Sequence, residues 1–314
     1  MCRWWWWWRE RQRAQQRCRW CWRRGLCAHH ELVVAKVVIH SRVTAIILPA
    51  SGPSYDASAL LWKAAVVAAG GTVSDARLAI VSTLITGLKA DSLWTSLDRL
   101  WLFAAENSTS ALIDLKGLST ATAINSPTFT ADQGYAGNGT TNYIRTGYIP
   151  NTHGVNYTQN SGAMSCYVRN NRTTTVGLPY IFGAEEANNV RSSYLILAPA
   201  TNAYSNVNGS GVNNIVLATT QGQHVIVRSG SGTTNQTYYI NGLSQVYAGR
   251  SATSDTPTTY EIYVGANNRT GSALGYTADQ FATFSIGAAL DATQASNLSS
   301  RINAYMTSLG TNVY

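Results

Sequence analysis

Carboxylates, thiols and imidazoles are sparse in this 314-residue chain, and their spacing limits the chemistry open to it. Glycoside hydrolysis needs two carboxyl groups facing one cleft, about 5 Å apart for retention, and alternate positions on one strand supply that geometry. Beyond residue 31 the Glu residues are Glu106, Glu185, Glu186 and Glu261, and none alternates with another carboxylate. Glu185 and Glu186 are adjacent, so on a strand they would face opposite sides, and FGAEEANN reads as an exposed acidic turn. Nucleophilic chemistry fares no better. There is no GxSxG elbow, and His153 and His224 are isolated. His224 opens the run HVIV and reads as a strand-end side chain. Cys166 stands in the alternation Met164, Cys166, Val168, as a buried strand thiol would. GNGTTN lacks the Lys and following helix of a phosphate-cradling loop. The chain is therefore expected not to be an enzyme.

Charge and cysteine divide the chain unevenly. Of the net +8, residues 1–31 hold eight Arg against two Glu, leaving +2 for everything after them. Four of the five Cys (Cys2, Cys18, Cys21 and Cys27) share that tail, so the lone Cys166 leaves the body without an internal disulfide. A near-neutral body gives no electrostatic case for nucleic acid. Arg interleaved with Trp could bind nucleic acid or an anionic membrane, and Cys18, Cys21, Cys27, His29 and His30 could ligate zinc. A run of five Trp followed by Arg fits neither helical nor strand periodicity, however. Residues 1–50 are read as a basic Trp/Arg/Cys-rich tail, disordered or translated from a misplaced start. Lys36, His40 and Arg42 interrupt the apolar run 32–49, so it is not a membrane span.

The elements that must position any site begin after PASGPS (49–54). Residues 51–108 read as a helical segment. Asp56 to Ala69 stops at Gly70-Gly71, and Ser74 caps a second helix carrying Leu78, Val81, Leu84, Ile85 and Leu88. A third helical stretch is expected over Ser92 to Ala104. Residues 109–314 change texture, with short alternating runs separated by Gly, Asn and Ser clusters, which is the mark of an antiparallel sandwich. Strands are expected at 142–148, 163–169, 180–183, 193–198, 224–229, 237–240, 261–265 and 280–286. Asn241-Gly242 marks a two-residue hairpin, because both positions tolerate positive φ. Asp291 and Gln294 form a capping-box pattern before an amphipathic terminal helix bearing Leu298, Ile302, Tyr305 and Leu309, with Gly310 as its stop.

Three stretches carry a family resemblance: LWTSLDRLWLFAAENSTSALIDLKG, GYAGNGTTNYIRTGYIPNT and FATFSIGAALDATQASNLSSRINAYMTSLG. Over residues 45–314 the chain resembles phage and prophage proteins in which a short helical segment precedes a concanavalin A-like, laminin-G-type jelly roll. The resemblance implies a mainly β antiparallel sandwich with an N-terminal helical segment and a C-terminal helix. It further implies a virion or tail-associated structural or adsorption module on the particle exterior. The partners would be other virion proteins, host surface glycans or further copies of the chain. The alternatives are a dedicated carbohydrate-binding protein unrelated to the particle and, more remotely, a polysaccharide hydrolase.

A glycan site on such a fold would take loop aromatics for the sugar faces and Asn or Asp for the hydroxyls. Tyr135, Asn138, Tyr143, His153, Asn156, Tyr157, Asn267, Asn268, Arg269 and Tyr276 are the candidates. Lectins of this fold often hold Ca²⁺. Asp132, Asn138, Asn142, Asp255 and Asp279 are available oxygens, but no ligand spacing joins them, so neither metal nor cofactor is predicted.

Overall fold

The computed structural model describes residues 54–172, 177–198 and 203–314. The tail and its zinc-ligand, nucleic-acid and membrane readings lie outside the described residues. No helix among those described is long and apolar enough to cross a membrane.

Two helices open the described chain: α1 (Ala57–Ala68), capped by the Asp56 carboxylate, and α2 (Asp75–Ala90), capped by the Ser74 hydroxyl. A single turn, α3 (Leu93–Ser96), then gives way to strand β1 (Leu97–Leu102). The helix expected over Ser92–Ala104 is therefore corrected to one turn and a strand. The reason is burial on two sides. Leu100, Leu102 and Ala104 face the helices, while Trp101, Phe103 and Ala105 face the sandwich interior, a period of two that a helix cannot deliver.

Short elements follow: α4 (Ser108–Leu112), β2 (Thr122–Ile124), β3 (Thr128–Thr130), β4 (Gly134–Ala136), β5 (Tyr143–Arg145) and α5 (Pro150–His153). The main strands are β6 (Gly162–Val168), β7 (Tyr180–Glu185), β8 (Ser192–Ile196), β9 (Ala203–Ser210), β10 (Asn213–Ile215), β11 (Gly222–Arg228) and β12 (Gln236–Ile240). After them come β13 (Leu243–Gln245), β14 (Tyr247–Arg250), β15 (Thr253–Ser254), β16 (Tyr263–Val264), β17 (Asn267–Arg269), β18 (Ser272–Leu274) and β19 (Gln280–Gly287). The terminal helix α6 (Ala292–Ser308) carries the expected capping box between Asp291 and Gln294.

These strands form two sheets. The first runs β13-β12-β11-β6-β19-β4-β3, with β1 also on β19; the second runs β14-β10-β9-β8-β7-β16-β5-β2, with β15 on β9 and β17 carrying β18 alongside β7. All pairings are antiparallel except the short β17–β7 contact. The β12–β13 hairpin turns at Asn241 and Gly242 with φ of 53° and 82°, as a primed turn requires. The chain is thus a mainly β, two-sheet antiparallel sandwich with an N-terminal helical segment and a C-terminal helix.

Alternation along the first sheet divides its side chains between two cores. Met164, Cys166, Val168, Ile226 and Phe284 point into the sandwich, where Phe284 packs against Trp101 and Phe182. Ala163, Tyr167, Val225, Val227 and Ala282 point the other way, under Trp62, Leu78, Leu298 and Ile302 of the helices. The helices therefore roof the first sheet, and loop ends and the far face of the second sheet are left to carry a site.

Candidate functional site

The antiparallel registers bring several connections to one end of the sandwich. Val168 closing β6 lies opposite Phe281 of β19 and Gly222 of β11, and Gln280 lies opposite Ala136 closing β4. Residues 137–142, 169–172, 219–221 and 275–279 consequently meet. Backbone bonds lace them together, from Gly137 N–H to the Asp279 carbonyl (3.2 Å) and from Gly139 N–H to the Thr277 carbonyl (3.2 Å). Glycine is required at 137, since a Cβ there would collide with the Thr277 carbonyl oxygen.

Between these loops lies a cleft of about 300 Å³, lined by Gly139, Asn170, Arg172, Pro179, Tyr276, Thr277 and Asp279 among others. Its polar side chains are held in place before any ligand arrives. The Asp279 carboxylate is 1% exposed and accepts from Asn170 Nδ2 (2.7 Å), from the Thr277 hydroxyl (2.7 Å) and from Arg172 Nη2. Asn170 Oδ1 accepts from the Gln280 N–H (2.8 Å), and the Thr220 hydroxyl accepts from the Arg172 N–H (2.7 Å). Every group that could read a hydroxyl is thereby oriented by a second contact. The Tyr276 ring is half-buried, and its hydroxyl donates to the Ala273 carbonyl (3.1 Å). Its centroid sits 6.0 Å from that of Tyr143, which in turn is 4.7 Å from Tyr263. Burial, and then the neighbouring Tyr143, raise the Tyr276 phenol above its ordinary range.

The ten candidates read from sequence fall into separate places. Tyr143 and Tyr276 come together beside the cleft, and Asn138 sits in the same loop cluster, where its Oδ1 accepts from the backbone of Thr140, Thr141 and Asn142. Tyr135 and Tyr157 are corrected to core side chains, 3% and 1% exposed. Tyr135 donates to the Ser108 carbonyl, with its phenol pushed up to about 12 by burial, and Tyr157 shares a hydrogen bond with Ser193. Asn156 is spent on the Thr95 and Leu97 carbonyls, and His153 Nδ1 accepts from the Ile149 N–H.

Asn267, Asn268 and Arg269 form another group around Glu185. That carboxylate is fully buried and accepts from Asn267 Nδ2, Arg269 Nε and the Asn189 N–H, so the exposed acidic turn expected at 185–186 is corrected. Its neighbour Glu186 pairs with Arg191 at 2.7 Å. His224, expected at a strand end, is instead buried within β11. The oxygens weighed for Ca²⁺ do not converge: Asp132 pairs with Arg77, Asp255 accepts from Ser210, and Asp279 is saturated. No cluster of three or more His, Cys, Asp or Glu suited to a metal occurs among the described residues.

The residues that sequence reasoning missed are Asn170, Arg172 and Thr277. Asn170 and Thr277 are common types in a chain rich in Asn and Thr, Arg172 belongs to no motif, and only the strand registers place the three together.

No family model matches the chain, and no curated protein matches its sequence. Solved structures of similar architecture do. Domain 4 of AbnA, a GH43 extracellular arabinanase from Geobacillus stearothermophilus solved with arabinotriose, is 16% identical with a TM-score of 0.42, covering 65% of this chain and 98% of that one. The NanB sialidase from Streptococcus pneumoniae is 11% identical with a TM-score of 0.32, over 44% of this chain and only 23% of that one. The binding domain of botulinum neurotoxin serotype D is 11% identical with a TM-score of 0.45, over 67% and 51% of the two chains.

Proposed function

We propose that this protein is a non-catalytic glycan-binding β-sandwich whose saccharide site is the loop-end cleft beside Tyr276. One observation carries the reading: a half-buried aromatic ring and pre-oriented amide, guanidinium and carboxylate groups share the cleft. A pyranose or furanose ring offers an apolar C–H face to such a tyrosine and hydroxyls to the fixed polar groups, the mixture typical of small-ligand sites. Hydrolysis by paired carboxyls would need a second carboxylate, and Asp279 is the one acidic side chain among the described lining residues. The location on a particle exterior implied by the sequence resemblance forms part of the proposal, with the cleft turned to host glycans; the chain should then co-purify with particles.

The test is a glycan-array screen of the full chain, followed by titration of any hit against Tyr276→Ala. Loss of the ring should weaken binding about tenfold, given about 0.5–1.5 kcal/mol for an aromatic contact plus its buried area. A folded protein that binds nothing across a broad panel would remove the reading.

A further inference from the structure

The cleft's described lining contains one cation and one anion, Arg172 and Asp279, and they are paired with each other. Asp279 has both oxygens occupied, Oδ1 by Asn170 and Oδ2 by Thr277 and Arg172. Arg172 is 13% exposed, with Nη2 committed to Asp279 and Thr277. The guanidinium is therefore fixed in direction, and its charge is cancelled at contact distance. Gly139, Pro179 and Tyr276 add no charge.

A ligand carboxylate entering this cleft would approach the Arg172 guanidinium, but it would meet the Asp279 carboxylate held against that guanidinium and shed part of its own hydration. A sugar hydroxyl carries neither penalty and can both donate and accept. We infer that the cleft takes neutral saccharides and discriminates against carboxylated ones, with Asp279 as the specificity-determining residue; this rests on the glycan-binding reading above. Specificity of this kind comes from a repulsive element as much as from an attractive one.

The experiment uses the full chain and pairs of oligosaccharides that differ only by a uronic or sialic acid, titrated at low and high salt. The neutral member of a pair should bind at least about tenfold more tightly, since like charges brought together at an interface cost several kcal/mol. Its affinity should hardly change with ionic strength, because no net charge is being neutralised. Asp279→Asn keeps a side chain of the same shape and frees the Arg172 charge, so it should narrow or reverse the preference. Arg172→Gln leaves Asp279 unpaired and should widen it, which keeps the test informative if the first variant does not fold. Equal or tighter binding of the carboxylated member by the wild-type chain overturns the inference alone. No binding by either class overturns the glycan reading and the inference together.

Discussion

Acidification should destabilise this fold through one imidazole. His224 is fully buried on β11, with Cys166 of β6 and Ile240 of β12 opposite it in register. Its Nε2 lies 3.0 Å from the Thr220 carbonyl, which can only accept, so Nε2 carries the proton and Nδ1 accepts from the Tyr238 hydroxyl. The neutral ring is fully satisfied, and a second proton at Nδ1 would face that hydroxyl with no counter-ion beside it among the described residues. Burial pushes the imidazole from 6.5 down to about 4, with the Thr220 carbonyl opposing. The unfolded chain therefore takes up this proton at a higher pH than the folded one. Stability is complete above the unfolded value and drains away as pH falls toward about 4, on the order of 3 kcal/mol in all. Carboxylates titrate beside this window in both directions: burial raises Asp114 above its usual range, while the hydrogen bond from Arg301 holds Asp91 below its own. The assay is urea unfolding at a series of pH values for the wild type and for His224→Gln, whose amide can still donate to Thr220. Subtracting the two curves removes every other titrating group. A wild-type stability that falls faster than the variant's between pH about 6.5 and about 4 is expected. Parallel curves would refute the argument.

Two further substitutions probe buried charge. Arg228 is fully buried and donates to the carbonyls of Val207, Gly230, Gly232 and Ala252, with no carboxylate partner among the described residues. Arg228→Met should cost about 3 kcal/mol by stranding those carbonyls, and a thermal or urea transition within error of the wild type would contradict this. Asp98 accepts from the Tyr148 hydroxyl (2.8 Å) and from the N–H groups of Val155, Asn156 and Tyr157 (3.1, 2.9 and 3.0 Å). Asp98→Asn replaces one acceptor oxygen by a donor, so it should lose about 2 kcal/mol and expose residues 153–157 to limited proteolysis.

The sandwich was legible because its signals are local. Period-two alternation located β6, β11, β12 and β19, Asn241-Gly242 located a hairpin, and Asp291 with Gln294 located the start of α6. What local pattern cannot report is which face of a strand is covered. Leu97–Leu102 is buried on both sides, so its apolar residues fall equally well on a helical wheel. Strand β9 hides for the opposite reason, since its Asn206 and Asn208 look like loop residues yet are fully buried through bonds to Ser192 and Thr158. The cleft was the least readable feature. Tyr276 and Tyr143 could be picked out as aromatics beside turn residues, whereas Asn170 and Arg172 acquire meaning only from Asp279, more than a hundred positions away.

The β1–β19 pairing bears on how the chain is made. Leu97–Leu102 can find its partner only after residues 283–287 exist, and α2 waits longer still for Arg301 of α6 to reach Asp91. During synthesis the first sheet must therefore stay open beside β6 until β19 has left the ribosome, with an unpaired edge on show. Contacts closed over so many residues fold slowly. Premature termination anywhere before β19 would yield no partial domain, only aggregation-prone nascent chain. Closure of the first sheet thus waits on β19, which supplies the partner of both β1 and β6.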